Sequence, residues 1–368
     1  MKWTESSRGT VARRPRSAYA GRYSIAMVLV AIIAVSVCGA CARRRPSIES
    51  GRAPIIGFSL DSLVVERWKR DLDVFSRSAR ELGAEVVMRV ADQDPVLQEA
   101  QVRELVNIGI DVLVIVPNDA DRLSEVVRYA RRRGVKVLSY DRLVRNAGVD
   151  LYISFDNEKV GSLMADALLK EKPEGSFIII NGARSDNNAI MLNRGIHAVL
   201  DPSVTAGRAR IFAEIWPAEW DSDEIRHDLE DVLKSTRSEG NGGIDAVVAG
   251  NDMLAEAAIA TLSESRMMTG VLVAGQDADL SACQRIAEGT QYATIYKPIE
   301  RLALKAAGFA VMMARNEPIP TDVMIDDGTG KVPFVRLEPI LVTRELLDAT
   351  VIKDGFHTAE SVYRNIRR

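Results

Sequence analysis

The residues with the clearest capacity for chemistry are Asp141 and Arg142, which directly follow an apolar stretch at residues 135–140. In an open α/β sheet, ligands bind in the crevice outside the carboxyl ends of the strands. A carboxylate and a guanidinium side by side at such a point can hold hydroxyl groups from two sides, because the carboxylate accepts hydrogen bonds and the guanidinium donates them. The alternative is a solvated ion pair on the surface, and the rest of the chain has to distinguish the two.

Polar and aromatic side chains also follow the other apolar stretches. They include three of the four tryptophans, although aromatic residues make up only 5% of the sequence. A pyranose ring needs this combination, since its C–H face packs on an indole while its hydroxyls take charge-assisted hydrogen bonds worth about 1.5–3 kcal/mol each. Ordinary core packing is the alternative for Trp216 and, less readily, for Trp220 in its polar surroundings. The strand-end residues are Glu66, Arg67, Trp68, Asp141, Arg142, Asp186, Asn187, Asn188, Trp216, Trp220, Asn251, Asp252, Gln276, Asp277 and Lys297.

Strand and helix patterns alternate between these residues. The first half predicts strands at 54–60, 84–90, 111–117, 135–140 and 151–154, with helices at 66–82, 95–108 and 123–133. The second half predicts strands at 176–181, 209–215, 244–250, 270–275 and 292–296, with helices at 157–170, 189–200, 223–235, 253–263 and 279–288. A helix at 299–316, a strand around 334–342 and a mostly helical segment at 343–356 complete the pattern. Because a β-α-β order implies parallel sheets with right-handed crossovers, we predict an α/β fold of two doubly wound parallel-sheet lobes with a cleft between them.

The start of the chain has the pattern of an export signal. A basic segment precedes an uncharged, mostly apolar run at 23–42 that contains Cys38-Gly39-Ala40-Cys41. This site resembles a bacterial lipobox, and we expect Cys41 to be the lipid anchor because bulky Val37 precedes Cys38. Cys38 itself departs from the lipobox pattern, which usually has Leu there. The alternative is an uncleaved membrane helix, since the run approaches the ~20 residues needed to span a bilayer. Either way, the body of the protein is expected outside the cytoplasm.

Composition argues against several other classes of protein. The net charge of −3 argues against a nucleic-acid-binding protein. Cys283 is the one cysteine of the body, so no disulfide framework can be built from it and a buried thiol is expected. The three histidines and Cys283 show no metal-ligand spacing. We therefore expect neither a metal nor a cofactor.

Long motifs between residues 55 and 356 carry a family resemblance. They are LVVERWKRDLDVF, GIDVLVIVPND, VLSYDRLV, DLYISFDNEKVG, SDNNA, IDAVVAGND, GQDADL, ATIYKPI and TVIKDGF. In these motifs the chain resembles the periplasmic sugar-binding proteins of ABC importers, and within them the D-xylose-binding members. The resemblance implies a type I periplasmic-binding-protein fold. It also implies sugar contacts at Arg67, Trp68, Asp141, Arg142, Asp186, Asn188, Trp220, Asn251, Asp277 and Lys297.

The same resemblance implies three crossings between the lobes, near 154–155, 297–298 and 334–337. The expected organisation is a signal peptide at 1–41, a tether at 42–53, an N-terminal lobe at 54–154 plus 298–335, a C-terminal lobe at 155–297 plus 336–358, and a polar tail at 359–368. The implied function involves no catalysis. The open lobes bind a monosaccharide, with D-xylose the first expectation, the hinge closes, and an ABC permease recognises the closed form. We expect a monomer held by its lipid anchor to a membrane, in the periplasm or at the cell surface.

Competing functions make different demands on the sequence. A dinucleotide-dependent dehydrogenase needs G-x-G-x-x-G in the first strand–helix turn, where this chain has SLDSLVVERW. A regulator of the lactose-repressor family needs an N-terminal helix-turn-helix, where this chain has its signal segment. A sensor that docks a chemoreceptor, and a binder of ribose, glucose or arabinose, stay open because they need the same closed state.

Overall fold

The computed structural model describes residues 52–64, 67–239, 243–321 and 323–366. The predicted signal peptide at 1–41, its Cys41 anchor and all but the last two residues of the tether lie outside the described residues, as does Glu66. Among the described residues, Arg52 pairs with Asp111 at 2.6 Å, and this ion pair fixes the chain at the start of the first strand.

Strands and helices alternate along most of the chain, as predicted. The strands are β1 (Ile55–Leu60), β2 (Glu85–Val90), β3 (Val112–Val116), β4 (Lys136–Tyr140), β5 (Leu151–Phe155), β6 (Ser176–Ile180), β7 (Arg210–Ile215), β8 (Ala246–Ala249), β9 (Leu272–Gln276), β10 (Ala293–Tyr296), β11 (Met324–Asp326), β12 (Lys331–Leu337) and β13 (Ile340–Val342). The helices are α1 (Arg67–Glu81), α2 (Pro95–Asn107), α3 (Ser124–Arg132), α4 (Asn157–Glu171), α5 (Asn187–Thr205), α6 (Ser222–Glu239), α7 (Asp252–Glu264), α8 (Leu280–Glu288), α9 (Ile299–Ala314) and α10 (Ala359–Val362).

The first lobe is built on a sheet with the order β11-β12-β5-β4-β3-β1-β2 within the described residues. Its pairs are parallel except at the edge, where β11 is antiparallel to β12. Helices α1 and α9 bury side chains such as Phe75 and Leu302 against one face. Helices α2 and α3 cover the other face with side chains such as Leu105 and Val126. Burial on both faces explains why strands such as β3 are continuously apolar.

The second lobe repeats this arrangement with the order β13-β10-β9-β8-β6-β7 in the part of the chain described. Only its edge pair, β10 with β13, is antiparallel. Helices α6 and α7 cover one face of the sheet, and helices α4 and α5 cover the other. The structure thus confirms the prediction of two doubly wound α/β lobes.

Three segments connect the lobes, after β5, after β10 and after β12. The lobe boundaries fall slightly later than expected at two of them. Strand β5 includes Phe155 and β12 extends to Leu337, because these two residues pair with each other in the first sheet. The backbone N–H of Asp156 then donates to Leu337 O at 2.9 Å, which extends the ladder to the crossing itself.

The end of the chain differs from the prediction. The single strand expected at 334–342 is wrong, because β12 and β13 belong to different sheets and are separated by Glu338 and Pro339. Proline lacks the N–H that a continuous strand would need here. Residues 344–352 form a 3₁₀ turn and a π-helical turn. The expected polar tail contains α10, whose Val362 is buried beside Cys283 and Leu347 in a small apolar cluster.

Candidate functional site

Among the described residues, eleven side chains from both lobes line one cavity at the carboxyl ends of the strands. All ten residues predicted to contact the sugar lie on this cavity, and Gln276 is the eleventh. Their contact with a sugar stays a prediction. The lining residues are Arg67, Trp68, Asp141, Arg142, Asp186, Asn188, Trp220, Asn251, Gln276, Asp277 and Lys297.

Arg67, the first residue of α1, lies between two carboxylates. Its Nε donates to Asp71 Oδ2 at 3.0 Å, and its Nη2 lies 2.9 Å from Asp141 Oδ2. The guanidinium carbon is 4.6 Å from the ring centroid of Trp68. Burial alone lowers the pKa of Arg67, but Asp141 and Asp71 outweigh it and raise the pKa well above its ordinary value. Arg67 is therefore a fixed, permanently charged donor beside an aromatic surface.

Asp71 is a supporting residue that the sequence interpretation missed. It is buried, and the hydroxyl of Tyr140 donates to its Oδ1, which also accepts from Arg67 Nη2 at 3.3 Å. Burial raises the pKa of Asp71, and the attraction of Arg67 only partly offsets this. The signal was present, because residues four apart on a helix share a face and Asp71 follows Arg67 by four.

Arg142 is held by one carboxylate from each lobe. Its Nη1 donates to Asp61 Oδ2 at 2.8 Å, and its Nε lies 2.7 Å from Asp186 Oδ2. Burial alone lowers the pKa of Arg142, whereas Asp186 and Asp61 raise it, and the result is a raised pKa. Asp61 directly follows β1, so the strand-end rule itself points to it, although the residues predicted for that strand are Glu66, Arg67 and Trp68.

The conformation of Asp141 aims its carboxylate into the cavity. Its φ of 60° lies in the left-handed region that Asp tolerates better than most residues. Two hydrogen bonds maintain this turn, one from its N–H to Ile153 O at 2.8 Å and one from Ser154 Oγ to its carbonyl oxygen at 2.6 Å. Burial raises the pKa of Asp141, but Arg67 and Lys297 outweigh it and lower the pKa, so the group is an ionised acceptor.

Polar contacts join the two lobes across the cleft and hold them in a closed arrangement. Two of them involve residues that line the cavity, and the third joins two backbone segments. They are the Arg142–Asp186 ion pair at 2.7 Å, the bond from Asn188 Nδ2 to Asp141 Oδ1 at 3.2 Å, and the bond from Ala120 N to Ser185 O at 2.9 Å.

Trp220 is positioned by a carboxylate and by two glycines. Its Nε1 donates to Asp186 Oδ2 at 3.2 Å. A Cβ added at Gly182 would lie 2.2 Å from the indole, and one at Gly250 would lie 3.1 Å from it. The indole therefore occupies the space that side chains at these two positions would take.

Asp277 and Lys297 form an ion pair on the second lobe, with Lys297 Nζ 2.7 Å from Asp277 Oδ1. Asp277 and Ala278 both have positive φ, at 96° and 55°. The N–H of Ala278 donates to Thr294 Oγ1 at 3.2 Å, and Thr294 Oγ1 donates to Asp252 Oδ2 at 2.8 Å. These bonds to buried groups stabilise a turn that would otherwise cost about 1–3 kcal/mol per strained residue.

The raised pKa of buried Asp252 predicts that the free energy of unfolding depends on pH. Burial raises its pKa to about 7, although Thr294 and Gln291 donate hydrogen bonds to its carboxylate. Between its ordinary pKa of 3.8 and about 7, the folded chain binds a proton that the unfolded chain does not. The stability that the bound proton of Asp252 contributes is therefore complete below pH 3.8, the pKa in the unfolded chain. It is lost as the pH rises through about 7, the pKa in the folded chain. We expect the free energy of unfolding to fall with pH in this window by up to about 1.4 kcal/mol per pH unit relative to Asp252→Asn.

Urea denaturation of the parent chain and of Asp252→Asn across this pH range measures the difference. The variant controls for all other titrating groups, because they are common to both chains. Parallel stability–pH curves would contradict the assignment of a raised pKa to Asp252.

Two buried polar atoms on the cavity wall, Trp68 Nε1 and Gln276 Oε1, have neither a hydrogen-bond partner nor an ion-pair partner within the described residues. Buried polar groups in native proteins are usually paired, so each unpaired atom needs an explanation. Both residues line the cavity, so a polar ligand bound there is the partner to consider for each atom.

Trp216 lies outside the cavity, in contrast to the other two strand-end tryptophans. The guanidinium carbon of Arg184 is 3.9 Å from its ring centroid, and its Nε1 donates to Glu214 Oε1 at 2.8 Å. Arg184 of the second lobe thus covers its aromatic face. The side chain is only partly buried, so this is a tryptophan stacked near the surface and not ordinary core packing.

No group of three or more His, Cys, Asp or Glu residues in the described part of the chain could hold a metal ion. Cys283 is buried, as expected. None of the helices in the described ranges has both the length and the apolar character needed to cross a membrane.

Comparison with known proteins identifies the family. The profile of the periplasmic binding protein domain matches residues 56–318. The chain is 42% identical over 308 residues to the D-xylose-binding periplasmic protein of Haemophilus influenzae, which covers 84% of this chain and 92% of that protein. It is 41% identical over 302 residues to the D-xylose-binding periplasmic protein of Escherichia coli, with coverage of 82% and 90%.

A solved structure shows the same architecture. The carbohydrate transporter solute-binding protein of Chloroflexus aurantiacus, crystallised in complex with D-glucose, has a TM-score of 0.78 to this chain at 26% identity, covering 84% of this chain and 98% of that one. The profile spans most of the chain, and the two relatives match over 82–84% of it. The chain therefore belongs to the periplasmic binding protein family.

Proposed function

We propose that this protein captures a monosaccharide, most directly D-xylose, between its lobes and delivers it to an ABC permease. One observation carries the proposal. The cavity combines two indoles with carboxyl groups, guanidiniums and a lysine, all in fixed positions at the junction of the lobes. Such a set suits a small uncharged polyol, whose C–H face packs on an indole and whose hydroxyls need both donors and acceptors. The D-xylose-binding relatives support the choice of sugar.

Capture proceeds by hinge closure. Three segments connect the lobes, and the polar contacts across the cleft define the closed state. A sugar bound to residues of both lobes favours closure by its higher affinity for the closed form. The permease then recognises the closed form. Binding, orientation and exclusion of water account for every role given to the cavity residues, and no bond of the sugar is broken.

The proposal includes export and lipidation at Cys41. The basic segment, the apolar run and the small residues Gly39 and Ala40 support it. The anchor holds the binding lobes at a membrane facing the periplasm or the cell exterior. Mass spectrometry of the N-terminal peptide of the mature protein distinguishes a lipidated Cys41 from an uncleaved helix.

Isothermal titration of residues 47–368 with D-xylose, ribose, glucose and arabinose tests the ligand. We expect one-to-one binding of D-xylose that is tighter than that of the other three sugars. Preference for another of these sugars would keep the family role and change the ligand. No heat with any of the four would sink the proposal that this cavity holds a monosaccharide.

A further inference from the structure

Gln276 stands apart from the residues assigned so far. It is the last residue of β9, its side chain lines the cavity, and it is only 4% exposed. Its Nε2 donates to Gly250 O at 2.7 Å, while its Oε1 has no partner within the described residues. The NH₂ group of the amide is therefore hydrogen-bonded within the protein, whereas its oxygen is not.

Two other buried glutamines that do not line the cavity, Gln98 and Gln291, have both ends of the side-chain amide hydrogen-bonded within the protein. Gln98 donates from Nε2 to Val116 O at 2.8 Å and accepts at Oε1 from Asn118 N at 2.9 Å. Gln291 donates to Asp252 and accepts at Oε1 from Arg285 Nε at 3.0 Å. In both, the two ends of the amide are paired, as is usual for buried polar groups.

The orientation of the Gln276 amide follows from its neighbour. Gly250 O is a carbonyl and can only accept, so the NH₂ end of the amide must face it. The backbone at Gly250 is itself fixed, because its N–H donates to Ile180 O at 2.7 Å. Rotation of the amide by half a turn would bring two oxygens together. The bond to Gly250 O therefore leaves Oε1, on a residue that lines the cavity, as an acceptor that can pair only with a donor.

We propose that Gln276 is a ligand-contacting residue whose Oε1 accepts a hydrogen bond from one hydroxyl of the bound sugar. The inference rests on the proposed function and deepens it. A deoxy sugar that lacks this hydroxyl leaves the buried oxygen unpaired, which disfavours its binding more than the loss of an exposed contact would. Gln276 thus contributes to specificity as well as to affinity.

Titration of Gln276→Met with D-xylose and with its 2-, 3- and 4-deoxy analogues tests the assignment. We expect D-xylose to bind about 10- to 100-fold more weakly to the variant than to the parent chain. The parent should reject one of these analogues strongly, and Gln276→Met should bind that analogue about as well as D-xylose. This loss of discrimination at one hydroxyl marks a direct contact, because a general loosening of the site would weaken all the ligands alike.

Gln101→Met is the matched control. Gln101 also donates from Nε2 to a backbone carbonyl, Val90 O, at 2.8 Å, and its Oε1 is also buried without a partner in the described part of the chain. It does not line the cavity. We expect its substitution to leave every sugar affinity within about twofold of the parent, since its amide has the same local bonding but no access to the ligand.

Gln276→Glu provides a second variant if methionine destabilises the fold. A protonated carboxyl can donate to Gly250 O and still present an acceptor to the sugar. Burial and the facing Gly250 O both disfavour the ionised form of this carboxyl. We therefore expect the variant to bind D-xylose more tightly at pH 5 than at pH 8, whereas the parent chain shows no such difference from this position.

The outcomes separate the two proposals. Absence of sugar binding by the parent overturns the proposed function and this assignment with it. Normal binding by the parent together with equally tight binding by Gln276→Met overturns this assignment alone. Unchanged discrimination among the deoxy sugars in the folded variant does the same.

Discussion

Asp277→Asn is expected to lower the affinity for D-xylose by at least about 100-fold, because a carboxylate on the cavity wall makes charge-assisted hydrogen bonds of about 1.5–3 kcal/mol each. The carboxylate is 2.7 Å from Lys297 Nζ and 3.9 Å from Arg67 Nη1. Its loss therefore also leaves two buried cations less well balanced. Asparagine is preferable to alanine because the φ of 96° at this residue is better tolerated by Asn.

Titration calorimetry of the variant measures this effect, with thermal unfolding as the check on folding. Asp166→Asn is the control, because Asp166 is a surface residue of α4 whose partner is Lys170. It makes the same chemical change far from the cavity and should leave affinity unchanged. A folded Asp277→Asn chain that binds D-xylose within about threefold of the parent would remove Asp277 from the proposed site.

Gly182→Ala is expected to weaken sugar binding by about 10- to 100-fold, since the added methyl displaces the indole of Trp220 and removes the apolar contact that we propose it makes with the sugar. The Cβ would lie 2.2 Å from the ring, well inside the normal carbon–carbon separation. No positive φ is involved at Gly182, so the backbone itself accepts alanine. The effect should therefore act through Trp220.

A double-mutant cycle with Trp220→Ala tests this route. If Gly182 acts only through the indole, Gly182→Ala should have little further effect once Trp220 is removed. Gly308→Ala is the control, because a Cβ there would meet no neighbouring heavy atom within 4 Å. Additive losses in the cycle would show that Gly182 affects binding by some other means.

The candidate site could be predicted in large part because of where its residues lie in the sequence. Asp141, Asp186 and Asp277 all follow strands, and parallel sheets bring the carboxyl ends of their strands to one edge. The strand-end position also selects residues that lie outside the cavity, since Trp216 follows a strand but packs under Arg184. Position along the chain thus indicates the edge of the sheet, but it does not indicate the direction of the side chain.

The pattern of apolar residues predicted most strands and helices correctly, but it failed near the end of the chain. The buried strands β3 and β6 are continuously apolar and were predicted almost to the residue. The region around Pro339 reads as one strand, but its two halves pair with β5 in one sheet and with β10 in the other. Which sheet a short strand joins depends on partners far away in the sequence, and a local pattern carries no information on them.

The sequence alone established the order of strands and helices, the two-lobed α/β architecture and the polar character of the cleft, because periodicity and strand-end position are local properties of the chain. The supporting contacts came only from the three-dimensional structure. Asp61 pairs with Arg142 across 81 positions, and the unpaired oxygen of Gln276 becomes visible only when every neighbour is in place. Hydrogen-bond geometry, burial and the approach of Trp220 to Gly182 depend on distances between remote segments, and those distances exist only in the folded chain.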